Sequence, residues 1–325
     1  MKLKKIKRMV VAGTAILMTL SLAGCGIGSD SVKLGAAGVG GGYYAFSNAF
    51  AQIASSEDED LDFEVKATAG STANIRLLSD GYVDMAIAQA DLVDAAYNGT
   101  GATDKKRYRG DSAVASLYTE ACQIVVRSDS GIDSLDDLQG KKISVGEEES
   151  GTQRNAEQIL KMTGLVESLV DTVNLDYVDA ANELKSGQID AFFCTAGIQT
   201  SVIEELSKEC DVKLIGIDDK CRDRLKSVYG FYTDYTIPAG TYEGQTQDVV
   251  TLGVRAVLLA RDDMDEKIVE ELTGLLFEHA QDIQYSIALT FQIDESEAVK
   301  NVTIPFHDGA KAYYQKKGIE IPAEQ

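Results

Sequence analysis

Tryptophan is absent from the 325 residues, proline occurs three times and histidine only twice. The scarcity of proline, together with 44% hydrophobic residues, argues against a disordered or proline-rich chain. The five cysteines form no Cys-x-x-Cys pair, and with two histidines no structural zinc site is expected. A disulfide such as Cys210–Cys221 stays open, because sequence cannot assign pairing among Cys122, Cys194, Cys210 and Cys221.

Basic residues are also in short supply. There are 31 Lys and Arg against 52 Asp and Glu, and five of the bases lie within the first ten residues. A surface this acidic repels phosphate backbones, which excludes nucleic acid as a partner. It also repels free anions at long range, so a bound anion must be held by local donors in a cleft.

Long apolar runs are missing outside the N-terminus. Residues 1–10 carry bases and no acid, and residues 10–22 are mostly apolar but too short for a permanent membrane helix. This pattern predicts a secretory signal over residues 1–24, with an uncleaved signal anchor as the alternative. The exit Leu22-Ala23-Gly24-Cys25 resembles the lipobox of bacterial lipoproteins. The resemblance implies a lipid on Cys25, a tether over residues 25–31, and a place on the outer face of the cytoplasmic membrane or in the periplasm.

From residue 32, short apolar runs alternate with amphipathic segments, which predicts an α/β fold with mostly parallel sheets flanked by helices. Two longer apolar stretches interrupt the alternation. Residues 113–127 form two extended runs around Thr119-Glu120, and residues 249–260 are extended again. They predict two crossings between a first lobe, residues 32–120 and 238–325, and an inserted second lobe, residues 121–237. A ligand cleft is expected between the lobes.

Three glycine- and hydroxyl-rich loops each follow a predicted strand and precede a predicted helix. They are residues 38–44, residues 67–72 and residues 149–152. A helix start presents unpaired N–H groups and a partial positive charge, and glycine lets an anion approach the backbone. Singly, each loop is explained as well by helix capping through Ser71 or Thr152. Their occurrence in both lobes favours one shared site.

Enzyme motifs are incomplete. Gly38-x-Gly40 is followed by Tyr43 where a dinucleotide fingerprint needs glycine, and Gly140-Lys141-Lys142 lacks the Ser or Thr of a P-loop. No Gly-x-Ser-x-Gly is present. The sequence therefore predicts no catalytic residue, no metal and no cofactor.

Several motifs, taken in order over residues 32–280, resemble the TAXI receptors, which are the extracytoplasmic binding proteins of TRAP transporters. They are Gly40-Gly41-x-Tyr43-Tyr44, Thr68-x-Gly70-Ser71-x-x-Asn74, Gly81-x-x-Asp84-x-x-Ile87-x-Gln89-x-Asp91, Leu138-x-Gly140-Lys141, Val145-Gly146, Ser150-Gly151-Thr152, Leu184-x-x-Gly187-Gln188-Ile189-Asp190-Ala191-Phe192-Phe193 and Ile237-Pro238-Ala239-Gly240-Thr241-Tyr242. The resemblance implies a type II periplasmic-binding fold, no catalysis and a TRAP-type membrane permease as partner. It also implies a small carboxylate or amino-acid ligand, such as glutamate or a dicarboxylate.

Two positions depart from the TAXI pattern. Gly42 stands where the family usually has Thr, which removes a hydroxyl donor. The residues before Ser150 are Glu147-Glu148-Glu149 instead of a Pro- and Gly-rich stretch. If these acids face the cleft, they disfavour a purely anionic ligand and suit a zwitterion. If they face solvent, they carry no information on the ligand.

The predicted ligand site combines the three loops with a strand end and a loop of the second lobe. Its residues are Gly41, Gly42, Tyr43, Tyr44, Thr68, Gly70, Ser71, Gln89, Ser150, Gly151, Thr152, Ala196 and Gly197. For the two tyrosines, core packing of their helix is the alternative role. Arg76, Arg127 and Arg154 are candidate charge partners. A sensory or scavenging lipoprotein, and less favourably an enzyme on the same fold, remain alternative functions.

Overall fold

The computed structural model describes residues 31–59, 61–101, 105–166, 168–287 and 293–322. The predicted signal, Cys25 and most of the tether lie outside the described residues. Ten strands join into one sheet with the order β2-β1-β3-β10-β4-β7-β5-β6, while β8 pairs with β4 and β9 with β10. The strands are β1 (Val32–Gly35), β2 (Phe63–Lys66), β3 (Met85–Gln89), β4 (Asp111–Arg127), β5 (Lys142–Ser144), β6 (Asp171–Val173), β7 (Ala191–Ala196), β8 (Val212–Leu214), β9 (Thr233–Ile237) and β10 (Val249–Arg261).

Each lobe contains a three-stranded parallel sheet, as the strand–helix alternation predicts. In the first lobe β1 pairs in parallel with β2 and β3, and in the second β5 pairs in parallel with β6 and β7. Every residue of β3 and β7 is buried, which is typical of parallel strands covered by helices on both faces. The two-lobed α/β fold is confirmed.

Helices cover both faces of these sheets. The first lobe carries α1 (Gly42–Glu57), α2 (Ser71–Ser79), α3 (Ala90–Asn98), α8 (Glu266–Glu278), α9 (Ala280–Ser286) and α10 (Asp308–Lys317). The second lobe carries α4 (Gly151–Thr163), α5 (Tyr177–Ser186), α6 (Ser201–Glu209), α7 (Asp219–Tyr229) and a short 3-10 turn at Asp136–Leu138. Within the described residues no helix combines the length and apolarity that a membrane span requires.

The two long antiparallel strands β4 and β10 cross between the lobes. The first part of β4, including Tyr118, is buried in the core of the first lobe, whereas Cys122 and Ile124 are buried in the second. β4 is continuous through Thr119-Glu120, where the sequence analysis expected two separate runs. Extended backbone continues there because β10 pairs with Thr119, Glu120 and Ala121, and β7 pairs with the strand from Ala121 onward.

The return crossing occurs later than residue 238. Tyr242, Leu252 and Val254 pack in cores of the second lobe, while Ala256 and Leu258 pack in the first. β9 forms an antiparallel hairpin partner for β10, which keeps residues 238–254 with the second lobe. The disulfide that the sequence left open does not form, because Cys210 and Cys221 are free thiols, as are Cys122 and Cys194.

Candidate ligand cavity between the lobes

A cavity of about 40 Å³ lies between the two lobes, beside the crossing strand β4. A water molecule needs roughly 10–15 Å³ on this measure, so the space fits only a few atoms in this arrangement of the lobes. The lining residues are Ala37, Gly38, Gly41, Gly42, Tyr43, Ala69, Gly70, Ser71, Gln89, Glu120, Glu147, Ser150, Gly151, Thr152, Asp176, Tyr177 and Thr195.

Five helices begin at this cavity. The residues that precede their first turns all line it: Gly41 before α1, Gly70 before α2, Gln89 before α3, Ser150 before α4 and Asp176 before α5. The first N–H groups of a helix have no intrahelical acceptor, and the helix dipole adds a partial positive charge there. Several of these donors already have acceptors in the protein: Thr72 and Ala73 donate to the Glu149 carbonyl, and Asp179 donates to Asp176. The starts of α1 and α4, one from each lobe, are the candidate donors for a ligand.

Glycine is required at two positions around the cavity, Gly70 before α2 and Gly151 at the start of α4. Gly70 has φ +117°, a backbone conformation that residues with a side chain rarely adopt. A Cβ added to Gly70 would lie 3.6 Å from Ser150 of the other lobe. A Cβ on Gly151 would lie 2.5 Å from the amide carbon of Gln89. The Gln89 amide cannot move freely, because it is buried and donates to Asn155 Oδ1 at 3.0 Å.

Direct hydrogen bonds hold the lobes together around the cavity. The Thr72 and Ala73 N–H groups donate to the Glu149 carbonyl at 3.1 and 3.2 Å. The Arg76 guanidinium binds the Glu149 carboxylate in a bidentate pair, with contacts of 3.1 and 2.7 Å. Glu149 reaches both partners with φ +65°, an uncommon conformation for a residue other than glycine. These contacts describe a closed cleft.

Acidic groups line the cavity, and no Lys, Arg or His appears among its described lining residues. Glu120 is 2% exposed and accepts a hydrogen bond from the Tyr43 hydroxyl at 2.6 Å. Burial raises the pKa of Glu120 to about 8, although hydrogen bonds from Tyr43 and Gln89 act in the opposite direction. Burial, and secondarily the charge of Asp176, raises the pKa of Glu147.

The structure brings nine of the thirteen predicted site residues to the cavity: Gly41, Gly42, Tyr43, Gly70, Ser71, Gln89, Ser150, Gly151 and Thr152. The hydroxyls of three already have partners. Ser71 Oγ accepts the Gln89 N–H, Ser150 Oγ caps α4 through the Gln153 N–H, and Thr152 Oγ1 bonds to Tyr177. The capping alternative is wrong for Ser71 and Thr152, because the N-cap residues are Gly70 and Ser150. The Ser150 hydroxyl caps α4 instead, which leaves its hydrogen as a donor.

Four predicted residues do not line the cavity. Tyr44 is one residue beyond Tyr43, and the helix turns its side chain away by about 100°. Thr68 hydrogen-bonds to Asn74 and the Gly70 N–H, so it shapes the turn. Thr195 lines the cavity, and strand alternation directs its neighbour Ala196 into the core of the second lobe. Gly197 follows, and its carbonyl accepts a hydrogen bond from Thr200.

None of the three candidate arginines lines the cavity. Arg76 pairs with Glu149, and Arg127 donates to the Leu184 carbonyl at 2.8 Å. Arg154 lies on a separate interlobe groove beside Asp91. Glu147 faces the cavity, whereas Glu148 and Glu149 border that groove, so the three acids divide between the two surfaces.

Sequence reasoning missed Glu120, Asp176 and Tyr177 as lining residues, whereas it placed Thr195 in the loop that closes the second lobe. Glu120 carried a usable signal, because it is the only acid inside the apolar stretch 113–127. A lone charge in a buried strand points to a partner or a site. Tyr177 carried no comparable signal. Its hydroxyl donates to the Thr195 carbonyl at 3.0 Å, a contact set by folding of the second lobe.

Among the described residues no group of three or more His, Cys, Asp or Glu side chains is arranged to hold a metal ion. The chemistry available at the cavity is backbone N–H donation, hydroxyl and amide hydrogen bonding, and buried carboxyl groups. This set suits reversible binding of a small polar molecule.

Solved structures share this fold. A protein of Bordetella bronchiseptica RB50 is similar with 16% identity and a TM-score of 0.58, covering 89% of this chain and 98% of that one. PhnD1 from Prochlorococcus marinus, solved with methylphosphonate, is similar with 13% identity, a TM-score of 0.54 and coverage of 89% and 99%. A candidate L-cystine ABC transporter protein from Listeria monocytogenes has 14% identity, a TM-score of 0.50 and coverage of 79% and 93%.

The family comparison covers most of the molecule. The model of the NMT1-like family matches residues 34–318, which include both lobes, both crossing strands and every residue that lines the cavity. This chain belongs to the NMT1-like family.

Proposed function

We infer that this protein is an extracytoplasmic solute-binding protein, which captures a small solute between its lobes and delivers it to a membrane transporter. One observation carries the proposal. Helix starts from both lobes converge on a single enclosed cavity, so the complete set of donors exists only when the lobes meet. A cleft of this kind couples ligand binding to domain closure. Binding without catalysis fits the absence of a nucleophile–base motif from the sequence.

The ligand is a small carboxylate or an amino acid in this proposal. Its carboxylate is held by the first N–H groups of α1, at Gly42 and Tyr43, and of α4, at Gly151 and Thr152. Ser150 adds a hydroxyl donor. Backbone donors must perform this role because no basic side chain lies among the described lining residues.

The transporter partner is proposed to be a TRAP-type permease, on the strength of the TAXI-like motifs. An ABC-type permease is the alternative, supported by the candidate L-cystine transporter protein of similar fold. Lipidation at Cys25 would hold the protein at the outer face of the cytoplasmic membrane or in the periplasm. A gene for one permease type beside this gene distinguishes the two partners, and its absence favours a sensory or scavenging lipoprotein.

A thermal-shift screen of the purified protein tests the proposal. The probes are two matched pairs, L-glutamate with glutarate and L-alanine with propionate, together with L-cystine and methylphosphonate. A specific ligand stabilises the folded state by about 2.7 kcal/mol at a hundredfold excess over its Kd, which raises Tm by several degrees. We expect at least one carboxylate or amino acid to do so. Stabilisation by none of these probes contradicts the proposed ligand class.

A further inference from the structure

Glu120 occupies an unusual position for a charged residue. It lies on β4 where this strand crosses between the lobes, it is 2% exposed, and it lines the cavity. The Tyr43 hydroxyl orients its carboxyl group from α1 at 2.6 Å. Asp176 is instead an exposed helix cap that accepts the Asp179 N–H, and Glu147 is only half-buried. Glu120 is therefore the most enclosed acid of the cavity.

Among the described residues, no Lys, Arg or His contributes to the pKa shift of Glu120, and Arg255 of the neighbouring β10 donates instead to Ser116 and Leu117. The titratable groups whose pKa depends on Glu120, or which affect the pKa of Glu120, are Tyr43 on α1, Asp91 on α3, Tyr118 and Cys122 on β4, Tyr177 on α5 and Cys194 on β7. Burial raises the pKa of each tyrosine and each cysteine, so these groups are neutral near neutral pH. Asp91 is acidic and opposes ionisation of Glu120 further.

We propose that Glu120 sets the specificity of the cavity for a ligand that carries an ammonium group, and that it releases its proton to solvent when this group binds. The ammonium group of the ligand provides the positive charge that the described lining residues lack. The ionised Glu120 carboxylate then pairs with this ammonium group at short range in a low-dielectric site. The inference rests on the proposed function, because it assigns the substrate class of the same cavity: amino acids in preference to simple carboxylates.

Proton release makes the affinity depend on pH. Because burial raises the pKa of Glu120 to about 8, the carboxyl group is mostly protonated at neutral pH when the cavity holds no cation. Binding of an ammonium group then displaces close to one proton. Each proton released changes the binding constant about tenfold per pH unit, so affinity rises from about pH 6 to about pH 8 and levels off above.

Isothermal titration calorimetry in two buffers of different ionisation enthalpy measures the proton count directly. The probes are L-glutamate with glutarate and L-alanine with propionate. For the wild-type protein we expect the amino member of a pair to bind at least about tenfold more tightly than its des-amino partner, with close to one proton released at neutral pH. Glu120→Gln is expected to lose both the preference and the proton release.

Asp111→Asn is the matched control, since Asp111 is a second buried acid of β4 that lies outside the cavity, with a pKa raised to about 6 by burial. It should keep the preference and the proton count. Binding of glutarate or propionate as tightly as the amino partners, or binding of an amino acid without proton release, overturns the inference and leaves the proposed function standing. Binding of none of the four, together with no stabilisation by L-cystine, contradicts the proposed ligand class as well. The wild-type proton count decides the matter even if Glu120→Gln fails to fold.

Discussion

At the scale of one residue, the burial of Glu120 at the cavity lowers the stability of the folded protein. Its ordinary pKa of 4.5 rises to about 8 in the fold, chiefly because of burial. A carboxyl whose folded pKa is raised leaves the protein most stable below pH 4.5, and this stability is lost as pH rises through about 8. At neutral pH, burial of Glu120 therefore leaves the ligand-free protein less stable than it is below pH 4.5.

Replacing this acid by its amide should stabilise the ligand-free protein. Glu120→Gln keeps an acceptor for the Tyr43 hydroxyl and adds an N–H donor beside Gln89, whose buried Oε1 has no hydrogen-bond partner among the described residues. We expect urea unfolding at about pH 8 to give a free energy of unfolding roughly 1–3 kcal/mol higher than wild type, with the gain disappearing near pH 4.5. A variant less stable than wild type at about pH 8 would contradict the assigned cause.

At the scale of elements, the starts of α3 and α4 close the cavity by direct contact across the lobes. Gly151 is the first residue of α4, and a Cβ added there would overlap the buried amide of Gln89, which ends β3 and precedes α3. Within each separate lobe this contact does not exist. Glycine at position 151 is needed for closure of the cleft, whereas the helix itself would accept alanine.

Gly151→Ala should therefore weaken ligand binding and leave the lobes intact. The added Cβ lies 2.5 Å from Gln89 Cδ only when the lobes meet. We expect Kd for the stabilising probe to rise at least about tenfold in calorimetry, while the urea midpoint of the ligand-free protein does not fall by more than the equivalent of about 1 kcal/mol. Gly274→Ala on α8 is the control, because its Cβ would make an ordinary 3.4 Å contact with Tyr313. Equal affinities for the two variants would argue against closure on the ligand.

The elements themselves were largely predictable from the sequence, with instructive exceptions. α4 follows from amphipathic spacing after the loop at residues 149–152, and it ends at Gly164, which adopts φ +87°. α7 escaped prediction because its mean polarity is high and only Cys221 and Leu225 are buried, so its apolar periodicity is weak. The continuous β4 escaped because Glu120 looks like a break in an apolar run until its cavity is known.

At the scale of the whole molecule, about half of the lining residues were predictable from local glycine-rich turns. The other lining residues reach the cavity through tertiary contacts. The turns at residues 41–43, 70–71 and 150–152 were readable because helix starts have local chemistry. Tyr177 and Thr195 reach the cavity only through the packing of α5 against β7. The position of the return crossing near residue 255 could not be predicted from local sequence either, because it depends on which core buries each residue of β10.

The division of β4 and β10 between two cores also explains how the molecule could move. Both strands pass through both lobes, so opening requires bending near Glu120 and Arg255 while each core stays packed. The interlobe contacts at Glu149 and Gly151 would be released together. The open and closed forms are thus distinguished by solvent access to the same helix starts that are proposed to bind the ligand.

Amide hydrogen exchange with and without a saturating probe tests the central claim most directly. The account predicts slowed exchange at the turns of both lobes, at residues 41–44 and 70–73 of the first and 150–153 of the second, because the ligand and the closed cleft shield these N–H groups together. Protection confined to one lobe, or centred on the surface groove at residues 213–219 and 244–250, would contradict capture between the lobes.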